Sequence, residues 1–215
     1  MKTNEERLQA LLSHLDSLTY IKPEEIPNIQ LYMDQVTTFM EEHLSQAKRS
    51  PEDKVLTKTM INNYAKNNLL PAPIKKKYSK EHMLMLIFIY YYKNVLSFHD
   101  IQQIFKPITE KYFTSGGAKN TGRSFESIYQ EVFSLEKAQM ELLKEDISDK
   151  FQSAQSTFTD LEGNDREYLQ LFSFICQLSF DVYMKKQMIE ALVDQLCEEE
   201  AASAAERHGA DRAKK

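Results

Sequence analysis

LTKTMINNYAKNNLLPAPIKKKYSKEHMLMLIFIYYYKNVLSFHDIQQIF, Leu56 to Phe105, is the stretch on which the reading of this chain turns. Thr57 is placed to cap a short helix running to about Asn67, with Met60, Ile61 and Tyr64 at the spacing of an inward face. Leu69-Leu70-Pro71-Ala72-Pro73 stops it, because proline lacks the donor a helix needs and restricts the residue before it. Lys75 to Tyr78 then reads as a compact basic loop or a narrow β wing. Ser79 caps a second helix from Lys80 to about Asn94, burying Met83, Leu86, Ile87 and Tyr90. Ser97 caps a third, with Ile101, Ile104 and Phe105 inward. Turning Met60, Ile61 and Tyr64 inward leaves Lys58, Thr59, Asn62, Asn63 and Lys66 outward, a short row of amides and cations.

Working outward, the amino-terminal side offers a helix from about Asn4 to Ser17, with Thr3 or Asn4 as cap and Leu8, Leu11, Leu12 and Leu15 at helical spacing. A further helix is expected from about Ile29 to Gln46, capped by Asn28, with Tyr32, Met33, Val36, Phe39, Met40 and Leu44 inward, and followed by a loop over Ala47 to Asp53. On the carboxy-terminal side Gly116, Gly117 and Gly122 mark a linker. Beyond it lie two long helical patterns broken at Gly163 and Asn164. The first carries Phe125, Ile128, Val132, Leu135, Leu142, Leu143, Ile147, Phe151 and Phe158. The second holds a heptad seam of Tyr168, Leu171, Ile175, Leu178, Val182, Ile189, Leu192 and Leu196. The short break predicts an antiparallel hairpin between them. Phe172, Phe174, Phe180, Tyr183 and Val193 exceed what one partner helix would cover, so the excess is assigned to a homodimer or to a small apolar ligand or protein partner.

The expected class is therefore all-α: a helical extension over 1–28, a helix-turn-helix domain over 29–113, a linker over 114–122, a helical hairpin or coiled-coil domain for dimerisation or an effector over 123–200, and a flexible tail over 201–215. Five glycines and six prolines in 215 residues agree with helices rather than a turn-rich β fold. The net charge of −5 hides an asymmetry: Lys54 to Asn94 carries eight lysines and one acid, Glu81, whereas acids dominate from Arg123 to Glu200. Met1 leads straight into polar residues without the pattern of a signal peptide, and the apolar run Met83 to Tyr92 is too short to cross a bilayer. Cys176 and Cys197 have neither disulfide nor zinc spacing, which fits a reducing cytoplasm. The five histidines are scattered, so neither a metal nor a cofactor is expected. No nucleophile, base and orienting group stand together, and an enzyme is not expected.

Asn68-Leu69-Leu70-Pro71, Tyr78-Ser79 and Leu96-Ser97-Phe98 resemble the landmarks of the MerR winged helix-turn-helix, where a recognition helix ends in Gly-Leu-Leu-Pro and a wing leads to Tyr-Ser. More closely, LYMDQVTTF (Leu31 to Phe39), LTKTMINNY (Leu56 to Tyr64) and KKKYSKEH (Lys75 to His82) are similar to a Gram-positive bacterial family, domain of unknown function 1836, described as MerR-like regulators. The resemblance covers roughly Ile29 to Phe113. It implies a recognition helix in the major groove and a wing on phosphates, and it gives Tyr64 a place near the DNA backbone. Asn62 stands where MerR proteins usually carry arginine, and the loop before the recognition helix is longer than theirs.

Double-stranded DNA is accordingly the expected partner, read by Lys58, Thr59, Asn62, Asn63, Tyr64 and Lys66, with Lys75, Lys76 and Lys77 on phosphates. Asparagine can read adenine through paired hydrogen bonds, and lysine reaches guanine or phosphate. Two alternatives stand beside it. One is a non-enzymatic helical module gripping a protein or an apolar ligand around Phe172 to Val193. The other is single-strand RNA binding through lysines near Tyr78 and Tyr90 to Tyr92.

Overall fold

The computed structural model describes residues 2–18, 20–113 and 122–213, without the side chains of 136–137 and 204–213. Seven α-helices and one two-stranded ribbon are described: α1 (Asn4–Ser17), β1 (Leu31–Tyr32), α2 (Met33–Leu44), α3 (Lys58–Lys66), β2 (Lys77–Tyr78), α4 (Lys80–Tyr92), α5 (Phe98–Tyr112), α6 (Phe125–Gln155) and α7 (Gly163–Ala213). The architecture is all-α, as expected. No described helix is long and apolar enough to cross a membrane.

The chain divides into two compact units, Met1–Pro23 with Ile128–Lys185, and Glu24–Ser127 with Lys186–Lys215. These boundaries differ from the sequence reading. α1 is not an extension of the basic module but belongs with the long helices, and the last part of α7 belongs with the basic module. The expected linker lies outside the described residues except for Gly122. α7 continues through Ala213, where a fraying tail was expected from residue 201.

In the first unit Thr3 starts α1 with a reciprocal cap: its Oγ1 accepts from the Glu6 N–H at 3.2 Å, and its own N–H donates to the Glu6 carboxylate at 2.8 Å. Leu8 of α1 then packs with Ile147, Phe151 and Ala154 of α6 and Phe174 of α7, flanked by Leu12, Leu15 and Leu178. Phe151 and Phe174 meet edge to face at 5.5 Å. α6 and α7 do form a hairpin, latched by the Lys150–Asp181 ion pair at 2.9 Å and by the buried Gln170, whose Nε2 donates to the Gln155 and Thr157 carbonyls. Tyr129 is buried and donates its hydroxyl proton to the Ile21 carbonyl at 2.7 Å.

Only part of the seam expected to close this hairpin is used: Leu171 and Leu178 are half-buried, with Leu178 against the core. Tyr168, Ile175 and Val182 are 66%, 51% and 64% exposed, and Leu135 and Leu142 of α6 are also open. The inward line of α7 here is Gln170, Phe174 and Leu178, so Leu178 of the seam turns in beside Phe174. The reason is α1: a third helix lies against the hairpin, and side chains facing both α1 and α6 are covered in preference to Tyr168, Ile175 and Val182.

The second unit is built around α4. Every residue from His82 to Tyr90 is buried, not the single stripe expected. A helix that is apolar on all sides can only be central. Phe88 meets Phe105 of α5 at 5.7 Å and Phe125 at 6.2 Å, and Phe113 meets Phe125 at 6.1 Å. Ile61 and Tyr64 of α3, with Val36, Phe39, Met40 and Leu44 of α2, complete the core. The loop between α2 and α3 is held by Glu41, which accepts from Lys48 and from the Val55 N–H, and by Lys93, which donates to the Val55 carbonyl at 2.7 Å.

The helix expected from Ile29 begins later, at Met33. Leu31 and Tyr32 instead form β1, and the Tyr32 N–H donates to the Gln35 Oε1 at 2.9 Å where Asn28 was expected to cap. β1 pairs antiparallel with β2, Leu31 opposite Tyr78 and Tyr32 opposite Lys77.

Candidate nucleic-acid interface

α3 is short because both of its ends are chemically marked. Thr57 caps the start, its Oγ1 accepting from the Met60 N–H at 3.1 Å. At the other end Asn68 adopts φ +58°, and the N–H groups of Leu69 and Leu70 both reach the Tyr64 carbonyl, at 2.9 and 3.1 Å. Asparagine tolerates this left-handed position better than most residues. Leu69 and Leu70 are then buried, so the chain leaves the helix into the core and returns as the hairpin.

Lys58, Thr59, Asn62, Asn63 and Lys66 all lie on the exposed face of α3. Tyr64 does not join them. It follows Ile61 by three positions, so it shares the inward face; it is buried, with its ring 6.3 Å from that of Phe98. Burial pushes its phenol above the ordinary tyrosine range. Asn63 is partly engaged, its Oδ1 accepting from the Asn67 Nδ2 at 2.8 Å. Lys58 pairs with Asp34 of α2, but both side chains are largely exposed, so the pair is weak and readily exchanged for another anion.

The basic segment folds as a tight hairpin with a two-residue tip. Ile74 bridges Lys77, whose N–H donates to the Ile74 carbonyl at 3.0 Å. Between them Lys75 and Lys76 have φ values of +50° and +62°. Two left-handed residues make the I′ turn that suits the twist of a tight hairpin, and Asn-Gly is its usual occupant. Two lysines there cost roughly 2–4 kcal/mol together in backbone strain. The Lys75→Asn, Lys76→Gly protein should accordingly be more stable by about that amount, read as a higher urea midpoint with an unchanged slope.

The eight lysines of this segment are not equivalent. Lys75 and Lys76 are exposed at the tip, and Lys54 and Lys66 are exposed elsewhere. Lys77 lies with its Nζ 5.3 Å from the centre of the Tyr32 ring. Lys80 pairs with Glu126 at 2.8 Å. Lys93 turns inward to the Val55 carbonyl, and burial pushes its ammonium pKa down. Lysine frequency along the chain overstated the cationic surface, because a long aliphatic stem can carry its charge to an internal acceptor. Tyr90 is buried, Tyr91 is exposed and Tyr92 is half-buried, so the three tyrosines share no single open face.

Beneath the wing exit lies His82. Its Nδ1 accepts from the Ser79 N–H at 3.0 Å and lies 2.8 Å from the Ser79 Oγ, closing the start of α4. The ring packs edge-on against Tyr78 at 5.5 Å and Phe113 at 4.8 Å. Its Nε2 makes no well-formed hydrogen bond among the described residues. Burial pushes the imidazole down to about 4; the carbonyls of Pro71 and Ala72 favour the charged ring but do not outweigh it. Tyr32, expected on an inward helix face, is instead 54% exposed on β1, and reading along the chain gave Asp34 and His82 no role. Tyr32 could have been found from the alternation of Leu31 and Tyr32 opposite Lys77 and Tyr78, had the strand been recognised.

Among the described residues no three histidine, cysteine, aspartate or glutamate side chains could hold a metal ion, and Cys176 and Cys197 are free thiols. The site is thus an exposed polar helix face and a cationic turn carried by one compact unit, suited to binding an anionic polymer.

No similar curated protein and no similar solved structure is found for this chain. A family model described as "Domain of unknown function (DUF1836)" matches residues 21–133, more than half of the chain. That span runs from just before β1 into α6 and contains α3, the wing and α4 entire, so the chain belongs to the DUF1836 family.

Proposed function

We propose that this protein is a non-enzymatic, sequence-specific DNA-binding regulator of transcription, a MerR-like winged helix-turn-helix working in the cytoplasm as a homodimer. α3 enters the major groove and presents Asn62, Asn63, Thr59, Lys58 and Lys66 to base edges and nearby phosphates, while Lys75 and Lys76 take the phosphates of the flank. One observation carries the reading: an exposed amide-and-lysine face on a nine-residue helix and a two-lysine hairpin tip occur in the same compact unit. The order of strand, two helices, hairpin and central helix supports it, because each landmark of the resemblance marks an element boundary: Asn68 to Pro71 ends α3, and Tyr78-Ser79 leads into α4.

The Lys75→Asn, Lys76→Gly protein tests it cleanly, since that change strengthens the fold while removing the cationic tip. In selection from a random duplex library followed by titration, the wild type should bind with an affinity that falls steeply as salt rises. The variant should bind far more weakly, with the logarithmic salt slope reduced by about two. Equal binding by the two proteins would remove the wing from the interface, and a wild type that selects no duplex would remove DNA.

The open seam of α7 favours an addition to this reading rather than a rival: a second copy of the chain covers Tyr168, Phe172, Ile175 and Val182. A protein partner or an apolar ligand on the same seam is the second reading, and the oligomeric state separates the two.

A further inference from the structure

The wing has a flank that the proposed function leaves unused. Tyr32 stands opposite Lys77 across the β1–β2 pair, and Ile74 stands opposite Lys77 across the hairpin. Cross-strand partners point to the same side of a ribbon, so Tyr32, Lys77 and Ile74 form one row. The alternate residues Leu31 and Tyr78 point the other way and are buried. The row itself is open: Tyr32 is 54% and Ile74 45% exposed, and Ile29, just ahead of β1, is 65% exposed.

An aromatic ring, an isoleucine and a lysine in one exposed row, continuous with the Lys75–Lys76 tip, combine apolar surface with positive charge. The sugar–phosphate backbone has the complementary pattern, since each deoxyribose offers an apolar C–H surface between two anionic phosphates. Size decides where on a duplex such a row fits. Three strands' width at about 4.8 Å spacing makes it roughly 10 Å across, too wide for a minor groove of about 6 Å. It therefore lies along the groove's edge and not inside it.

We propose that the Tyr32–Lys77–Ile74 row is a second DNA contact, seated on the deoxyribose edge of the duplex flank while Lys75 and Lys76 hold the phosphates beside it. The inference rests on the DNA-binding reading and adds to it an apolar contact. Lys77, drawn over the Tyr32 ring, acts here as a positioning residue that holds the ring flat against the sugars.

The test uses the full chain, a fluorescently labelled mixed-sequence duplex and anisotropy titrations over a range of salt. Tyr32→Ala and Ile74→Ser should each weaken binding about tenfold with an unchanged salt slope, because neither removes a cation. Tyr32→Phe should bind as the wild type does. Ile74→Ser keeps the backbone bridge to Lys77, so it decides the matter if Tyr32→Ala melts at a lower temperature. A wild type that binds duplex while Tyr32→Ala and Ile74→Ser bind equally tightly overturns this inference and leaves the DNA reading standing. A weakened variant with a shallower salt slope also overturns it, because the loss would then come from a displaced lysine. A wild type that binds no duplex overturns both.

Discussion

The 215-residue chain carrying Phe172→Glu and Ile175→Glu is expected to sediment as a monomer under conditions where the wild type sediments as a dimer. From Tyr168 to Met184 the only charged residue is Asp181, and that carboxylate is already paired with Lys150. Tyr168, Phe172, Ile175, Phe180, Val182 and Tyr183 are each more than half exposed. Together they offer roughly 500–700 Å² of mainly apolar surface per protomer, close to the ~800 Å² per partner of a standard interface. Tyr168, Ile175 and Val182 recur every seven residues, the spacing that keeps a seam against a second helix. Burying one large apolar side chain is worth roughly 1.5–3 kcal/mol. Losing two from each protomer, and placing carboxylates there, should raise the dissociation constant by about a thousandfold or more. Circular dichroism should barely change, since neither side chain is buried within its own chain. A wild type that stays monomeric at tens of micromolar would hand the seam to a different occupant, and a dimer that survives both substitutions would place the interface elsewhere.

The second large effect is expected from acid. His82 has an ordinary pKa of 6.5 when unfolded and about 4 in the folded protein, so below 6.5 the unfolded chain takes up a proton that the folded chain refuses. Folding stability contributed by this group is therefore complete above about 6.5 and is lost as the pH falls towards 4. The full loss is about 3 kcal/mol, a sizeable part of the stability of a small domain. His82→Gln isolates it. Glutamine at that position can still accept from the Ser79 N–H as the other half of a cap, yet it does not titrate. Urea unfolding at intervals from pH 7 to pH 4.5 should show the wild type losing ground to the variant throughout that window. Parallel curves would mean that His82 is solvated and takes up its proton equally in the folded and unfolded chain.

The local markers of this fold were legible without coordinates. Thr57, Ser79 and Ser97 cap α3, α4 and α5 where the hydroxyls stand in the chain, and Leu69-Leu70-Pro71 ends α3. Such features depend on a few neighbouring residues and a fixed backbone geometry, so they survive whatever packs around them. The exposed face of α3 was legible for the same reason: Ile61 and Tyr64 commit one side of a nine-residue helix to the core, and the remainder must face out. β1 was missed because two residues make no periodic pattern. Leu31 and Tyr32 become a strand only when Lys77 and Tyr78 arrive from far along the chain.

Charge and seam went differently. Lys93 and Lys80 counted towards a basic segment until folding brought the Val55 carbonyl and Glu126 within reach. The α7 heptad line was expected to close onto α6, yet Tyr168, Ile175 and Val182 stay open while Phe174 turns in, because nothing local tells Leu8 that it will lie against Phe174.

By itself, then, the sequence determined the helices, their caps, the turn-forming punctuation and the polar face of α3, all of which are set by interactions within about two turns of chain. Tertiary structure alone decided which lysines remain cations on the surface, that Tyr32 joins Lys77 and Ile74 in one row, and which face of α7 is left open. Each of those outcomes depends on a side chain meeting a group distant in sequence, and only packing fixes that meeting.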